Sequence, residues 1–137
     1  MTKQIFINLP VADVAKSIAF YEAIGCTMDD RFGGAGAMVW NDSVTFMLSP
    51  HEFFTTLMPK AVADTKTTAE VLFALSLDSR EAVDAIAAAA LAAGGSEAHG
   101  AEDEGFMYSR GFYDPDGHGF GPFHMDMAAM PAAHEAA

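Results

Sequence analysis

The chain has 137 residues, of which 51% are hydrophobic and only 19% are charged. This composition excludes a disordered chain and predicts one globular domain with a core of its own. The net charge of −12, with only seven lysines and arginines, repels phosphate backbones and anionic lipids, so we expect no nucleic-acid or membrane partner. The single cysteine, Cys26, excludes an internal disulfide and a cysteine-based zinc site and fits a cytoplasmic location.

The first half of the chain predicts a strand, a helix and three further strands. Residues 1–11 lack a signal-peptide core and enter a strand at 4–9, which Pro10 should end because proline cannot donate to a sheet. Asp13 is a good N-cap for a helix over 14–24, and Gly25 should close that helix. The remaining predicted strands are 26–31, 37–40 and 44–49.

Residues 50–68 interrupt this pattern. They predict one short helix over 52–58, followed by a polar connection that is the best candidate in the chain for a linker or a lid.

The second half then repeats the first. A strand over 70–77 precedes an alanine-rich helix that Asp78 or Ser79 should cap. The predicted inward residues of this helix are Val83, Ile86 and Leu91, and Gly94–Gly95 should close it. The predicted elements that follow are a short strand at 96–99, an acidic loop at 100–105, and strands at 106–113 and 118–125 joined by the turn 114–117.

Both halves therefore read β-α-β-β-β, which predicts an α+β fold of two duplicated modules. We expect modules of about 3–49 and 70–127 to form a single domain over residues 3–127. Their curled mixed sheets should pair to enclose a cup, and residues 128–137 should form a frayed tail.

Two motifs connect this pattern to a family. LPVADVAKSIAFYEAIG follows the first strand, and FYDPDGHGFGPFHMD spans the last turn and strand. Together with the duplication, they resemble the glyoxalase, bleomycin-resistance and extradiol-dioxygenase superfamily, which has the vicinal oxygen chelate fold. The resemblance implies a small-molecule site in the cup. In the family's enzymes a divalent metal is held there by His, Glu or Gln side chains from the first, fourth, fifth and eighth strands.

The four positions that correspond to these metal ligands carry unsuitable side chains in this chain. They are Phe6, Met47, Leu72 and Gly121. Three of them have no side-chain oxygen or nitrogen, and a thioether does not suit Mg, Mn or Zn. A register slip would bring Asn8 or Ser76 to one position without supplying the whole set. We therefore expect neither a metal nor another cofactor.

Strand alternation predicts which residues share the cup face. They are apolar, aromatic or small, which favours a flat or apolar ligand held by burial and one or two hydrogen bonds. Gly119 and Gly121 thin the last strand and should leave room for that ligand. Arg110 either clamps an anionic group or pairs with an acid of 102–104. The predicted ligand-binding residues are Phe6, Asn8, Trp40, Met47, Leu72, Tyr108, Arg110, Gly121 and Phe123.

The sequence names no catalytic residue. His118 should stabilise the turn at the surface, and His124 should face the helix side of its sheet. His51 and His99 fall in predicted loops, and His134 falls in the predicted tail.

Three interpretations of function remain open. The first is a metal-free protein, similar to the bleomycin-resistance branch, that binds a small apolar or aromatic molecule; the net charge would suit a cationic one. The second is a lactoylglutathione-lyase-like or dioxygenase-like metalloenzyme with displaced ligands. The third is an interaction protein whose dimer surface is its function. We expect a homodimer, because exposed sheet edges need cover.

Overall fold

The computed structural model describes residues 3–33 and 35–129. Within them the chain forms eight strands and three α-helices. In chain order these are β1 (Ile5–Val11), α1 (Val14–Ala23), β2 (Thr27–Met28), β3 (Ala37–Val39), β4 (Val44–Pro50), α2 (His51–Leu57), β5 (Leu72–Ser76), α3 (Arg80–Ala92), β6 (Ser96–Asp103), β7 (Met107–Tyr113) and β8 (Gly119–Met125). Short 3-10 helices occur at Asp30–Phe32 and Met127–Ala129. Most of the predicted tail, including His134, lies outside the described residues.

The chain divides into two compact units. The first contains the chain up to Thr68 together with Pro115–Gly117, and the second contains Ala69–Asp114 and the chain from His118 onward. Each unit has a four-stranded sheet, ordered β1-β4-β3-β2 in the first and β5-β8-β7-β6 in the second. In each sheet the first strand runs parallel to the last, and the other neighbours are antiparallel. The predicted α+β duplication is confirmed, whereas the single domain over 3–127 stays a prediction.

Both long helices begin at a side-chain cap. The backbone N–H of Lys16 donates to the Asp13 carboxylate at 3.1 Å. In the second unit the N–H of Ala82 donates to the hydroxyl of Ser79 at 3.0 Å. Each bond satisfies one of the backbone donors that the first turn of a helix leaves without an intrahelical acceptor. Of the two caps predicted for α3, Ser79 is the one used.

The same two helices end in the same way. Gly25 and Gly94 follow the C-caps with φ of 113° and 104°, a conformation that costs glycine little. The residue after each glycine donates its N–H to a carbonyl of the last turn, that of Tyr21 in α1 and that of Ala90 in α3, both at 2.9 Å. This is the Schellman arrangement, and it confirms both predicted helix ends.

Each long helix covers one face of its own sheet. In the first unit the buried ring of Tyr21 on α1 lies 5.4 Å from that of Phe46 on β4. In the second unit the rings of Phe112 and Phe120 are stacked 5.3 Å apart beside the buried side chains of α3. The two units therefore have separate apolar layers, each between a helix and a sheet.

One predicted core position of α3 is wrong. Leu91 is 46% exposed, whereas Ala87 and Ala90 are buried with Val83 and Ile86. Residues three, four and seven positions after Val83 follow one helical stripe, and position 91 lies about 90° from the centre of that stripe. The small alanines take the buried places because the stripe, not side-chain size, decides which residues face the sheet.

Two strands of the first unit end differently from the prediction. β1 continues through Pro10 to Val11. It lies at the edge of its sheet, where a residue without an N–H is tolerated. β2 is reduced to Thr27–Met28, because the Asp29 carboxylate accepts the N–H of Arg31 and starts a 3-10 turn.

The predicted acidic loop of the second unit is instead part of β6, which runs to Asp103. All eight residues of this edge strand are exposed. Its pairing with β7 is shifted between Glu97 and His99 and again between His99 and Glu102. These irregularities break the alternation by which a strand is recognised in a sequence.

The tip of the β7–β8 hairpin is bonded to distant parts of the first unit. The Asp116 carboxylate accepts from the N–H of Ala12 at 2.8 Å and from the hydroxyl of Ser17 at 3.3 Å. The hydroxyl of Thr65 donates to the Asp116 carbonyl. This one residue thus joins the start of α1 to the connection after α2.

No helix among the described residues has the length and apolarity needed to cross a bilayer.

We predict that Asp116→Ala lowers the free energy of unfolding by about 1–3 kcal/mol, because it leaves the buried Ser17 hydroxyl and the Ala12 N–H without this acceptor. Urea denaturation followed by circular dichroism measures the change. Asp42→Ala is the matched control, since Asp42 is an exposed loop residue and the variant keeps the backbone carbonyl that accepts from Gln4. Equal stability of the two variants would contradict the prediction.

Candidate functional site

The first sheet has one face without its long helix, which we call the first open face. Phe6 is paired with Thr45 and Asn8 with Met47, so these four side chains lie on the same side of β1 and β4. Phe46 has the opposite orientation and meets Tyr21 of α1. Phe6 is 43% exposed, and its ring lies 6.5 Å from that of Phe32. The face therefore presents an aromatic ring, a thioether and an amide.

The second sheet has a corresponding second open face. Leu72 is paired with Gly119, Ala74 with Gly121 and Ser76 with Phe123. Phe73 and Phe120 have the opposite orientation, with ring centroids 5.2 Å apart. The predicted alternation is thus confirmed in both sheets, and Leu72, Gly121 and Phe123 share one surface.

The room predicted above the glycines of β8 is partly filled. A methyl group built on Gly121 would lie 3.5 Å from Cδ1 of Leu72, and one built on Gly119 would lie 3.8 Å from the same atom. The Leu72 side chain therefore lies over both glycines while it remains 65% exposed. Sequence reasoning missed this contact because it joins residues of two different strands.

Trp40 lies away from the first open face. It follows β3 with the orientation of Met38, which is buried on the helix side. A methyl group built on Gly25 would lie 3.7 Å from Cζ3 of Trp40, so the ring packs beside the end of α1.

Tyr108 and Arg110 lie on the helix side of the second sheet. Tyr108 is paired with His124 on β8 and donates its hydroxyl to Asp84 of α3 at 2.6 Å. Nε of Arg110 donates to the same Asp84 oxygen at 2.6 Å. The predicted alternative, an acid partner for Arg110, is thus met by Asp84 and not by residues 102–104. The hydroxyl and the guanidinium hold the pKa of Asp84 below its ordinary value.

A second ion pair lies beside the first. Arg80 donates to both Asp103 oxygens, at 2.6 and 3.0 Å, and its guanidinium carbon lies 5.0 Å from the centre of the Tyr108 ring. Hydrogen bonds from Arg80 and from the Gly105 N–H lower the pKa of Asp103 to about 2. With Arg31 bound to Asp29 in the first unit, the Arg31, Arg80 and Arg110 guanidiniums each have a carboxylate partner.

The four histidines within residues 3–33 and 35–129 do not converge on a reactive centre. His118, predicted at the surface, is only 6% exposed, and its N–H donates to the Asp114 carboxylate at 2.9 Å. His124 faces the helix side as predicted, with Nδ1 donating to the Leu77 carbonyl at 3.0 Å. His99 is a strand residue that pairs with Glu102 at 3.0 Å, and His51 begins α2. Burial raises the pKa of the Cys26 thiol to about 12, so this thiol is a poor nucleophile.

A polar pocket of about 200 Å³ opens at the start of α3. Sequence reasoning did not find it, because its walls come from three separate stretches of the second unit. It is lined by Asp78, Ser79, Arg80, Glu81, Gly105, Phe106, His124 and Asp126. Arg80 is bound to Asp103 and His124 is bound to the Leu77 carbonyl, so two of the polar side chains that line the pocket already have partners.

The side chains at the predicted metal positions do not fit a divalent ion. Phe6, Leu72 and Gly121 have no oxygen or nitrogen to donate, and the Met47 thioether is a soft ligand. Within residues 3–33 and 35–129, no three His, Cys, Asp or Glu side chains lie where they could share an ion.

Solved structures with the same architecture come from several bacteria. The hypothetical protein SA1046 from S. aureus has a TM-score of 0.77 and 24% identity, over 90% of this chain and 95% of that one. A glyoxalase/bleomycin resistance protein/dioxygenase family enzyme from Burkholderia phytofirmans PsJN has a TM-score of 0.73 and 17% identity, over 88% of this chain and 96% of that one. A glyoxalase-related enzyme from Fulvimarina pelagi has a TM-score of 0.72 and 17% identity, over 90% and 88%. At these identities the likeness defines the fold alone.

The duplicated mixed sheets, each with one helix, define the class as the vicinal oxygen chelate fold. The family model of the Glyoxalase/Bleomycin resistance protein/Dioxygenase superfamily matches residues 3–121. The chain belongs to that superfamily, as its two motifs indicated. No functionally curated protein is similar enough in sequence to match it.

We predict that Tyr108→Phe raises the pKa of Asp84 towards its ordinary value, because the variant removes the hydroxyl that contributes most to lowering it. A carboxylate with a lowered pKa stabilises the fold above its ordinary pKa of about 3.9, and that contribution is lost as the pH falls through the lowered value. NMR titration of the side-chain carboxyl carbons measures the pKa. Asp103 is the internal control, since Phe keeps the ring beneath Arg80, and an unchanged pKa of Asp84 would contradict the prediction.

Proposed function

We propose that this protein binds a small, flat, apolar or aromatic molecule against its open faces and has lost the metal ligands of its enzymatic relatives. The exposure of Phe6 and Leu72, at 43% and 65%, carries the proposal. Both occupy positions where the family resemblance implies metal donors, and both leave apolar surface in water that a ligand would cover. We propose that Asn8 and Met47 contact a ligand on the first open face, and that Gly121 and Phe123 contact one on the second.

The charges support a neutral or cationic ligand. The net charge is −12, and each arginine guanidinium has a carboxylate partner in its own unit. Recruiting Arg110 for an anionic ligand would break its hydrogen bond to Asp84. Of the two donors, Tyr108 and Arg110, only the Tyr108 hydroxyl would still bind that carboxylate. Anion binding would therefore cost an existing ion pair, whereas an apolar ligand costs none.

The polar groups of the open faces suit one or two orienting hydrogen bonds. The Asn8 amide is exposed, and its bond to the Phe6 carbonyl is long, at 3.4 Å. Ser76 is exposed beside Phe123 in the second unit. Weakly engaged neutral groups of this kind give a ligand an orientation without demanding charge.

We predict that Phe123→Arg reduces binding of 2-naphthol, a neutral planar probe, by at least about tenfold, because a guanidinium on the open face would have to lose water beneath an apolar ring. Fluorescence titration measures the dissociation constant, and circular dichroism checks the fold. Leu91→Arg is the matched control, since Leu91 is an exposed leucine on the outer side of α3.

Two results would contradict the proposed function. One is equal affinity of Phe123→Arg and the unaltered protein for the probe. The other is a stoichiometric divalent ion in the purified protein whose removal abolishes a lyase or dioxygenase activity, which would favour the metalloenzyme.

We also propose a homodimer in a reducing, cytoplasmic setting. Ile5 at the start of the edge strand β1 and Val71 just before the edge strand β5 are 54% and 50% exposed, which supports cover by a second copy. The thiol of Cys26 is free and buried, which suits a reducing compartment.

We predict that sedimentation velocity at micromolar concentration gives the mass of a dimer and that Val71→Glu shifts the protein towards monomer, because a buried carboxylate would lie at the interface. Leu91→Glu is the control, because it adds the same charge at an exposed position of α3, away from the edge strands. A monomer at every concentration tested would remove the dimer from the proposal.

A further inference from the structure

The second open face contains a shallow shelf with a glycine floor. Gly119 and Gly121 alternate along β8 with Phe120 and Pro122, which are buried on the helix side. The floor is therefore bare backbone, firmly supported from beneath by large side chains. A flat ring can approach such a floor more closely than it can approach any strand whose residues carry a Cβ.

Side chains of the neighbouring strands bound this shelf. Leu72 of β5 reaches over it, with carbon atoms 3.5 to 3.8 Å from a methyl group built on Gly121. On the other side, Cε1 of Tyr113 on β7 lies 3.9 Å from a methyl group built on Gly119. Phe123, two residues along the same strand face, closes the end.

We propose that Leu72 determines the size of the planar ligand that the second open face accepts. This inference rests on the proposed function, and it identifies the residue that selects among ligands of different width. Leu72 is the most exposed part of the shelf's lining, at 65%, and the residues beneath it, Gly119 and Gly121, have no side chain to restrict its rotamer. A leucine can change rotamer at little cost where no neighbouring side chain holds it.

In its present rotamer Leu72 covers the floor, so we expect only a small ring to fit beside it. A wider ring must displace the isobutyl group or lie on top of it, where it loses contact with the backbone. Tyr113 and Phe123 then provide the aromatic surfaces against which the ring packs edge-to-face or offset. Selection by size follows from the position of one side chain and does not require movement of the sheet.

The test compares two neutral planar alcohols, 2-naphthol and the wider 1-pyrenemethanol, by fluorescence titration of the 137-residue chain. In Leu72→Ala the ratio of the two affinities should move at least about tenfold in favour of 1-pyrenemethanol, which is the scale of discrimination expected when a few carbon atoms of an apolar site are removed. Adding Gly121→Ala to that variant should reverse much of the change, since the methyl group refills the shelf. The spacing of 3.5 Å and more allows that methyl group without a clash.

Leu91→Ala is the control, because it removes the same atoms from a leucine that is 46% exposed on α3. It should leave the ratio unchanged. Thermal unfolding of each variant verifies that the fold is retained.

The outcomes separate this inference from the proposed function. If the probes bind and Phe123→Arg weakens both, but Leu72→Ala leaves their ratio unchanged, the role of Leu72 is refuted while the binding function stands. If neither probe binds to the unaltered protein or to Leu72→Ala, both proposals are refuted. Binding of 1-pyrenemethanol to Leu72→Ala alone supports the inference in its strongest form.

Discussion

Each unit has one long helix and one four-stranded sheet, and a single helix can cover only one face of a sheet. This constraint accounts for most features of the molecule. On the covered side the sheets carry Phe46, Phe112 and Phe120, which are almost completely buried. On the open side the same sheets place Phe6 and Leu72 in solvent, so the alternation that builds the core also creates the surface on which we propose that ligands bind. The fold and the proposed function thus depend on the same alternation of side chains along the strands.

Features determined by neighbouring residues were predictable from the sequence. The capping side chains of Asp13 and Ser79 and the glycines that end both helices act within a few positions of the chain, and all are found as expected. The duplication and the two motifs then led to the correct family. The prediction failed where partners are far apart: Asp84, which holds Arg110, is 26 residues away. The burial of His118 and the reach of Leu72 over two glycines likewise depend on contacts between strands, and the irregular pairing of β6 concealed a strand rich in acids.

Membership of the superfamily does not decide the chemistry of this chain, because chemistry depends on particular side chains and not on the fold. The open faces present an aromatic ring at Phe6 and an aliphatic side chain at Leu72, and on this apolar surface our proposed function depends. Both arginine ion pairs of the second unit, Arg80–Asp103 and Arg110–Asp84, lie on the helix side of its sheet. Charge and apolar surface are thereby separated on opposite sides of one sheet.

The hairpin tip that belongs to the first unit also imposes an order on synthesis. Asp116 reaches Ala12 and Ser17 across 104 and 99 residues of chain. A nascent chain therefore cannot complete the hydrogen bonds of its first unit until Asp116 has left the ribosome. Contacts so distant along the chain form slowly, since a long loop must close before they contribute. The first β-α-β-β-β module, which looks self-contained in the sequence, thus depends for these contacts on residues translated after α3 and the strands of the second sheet up to β7.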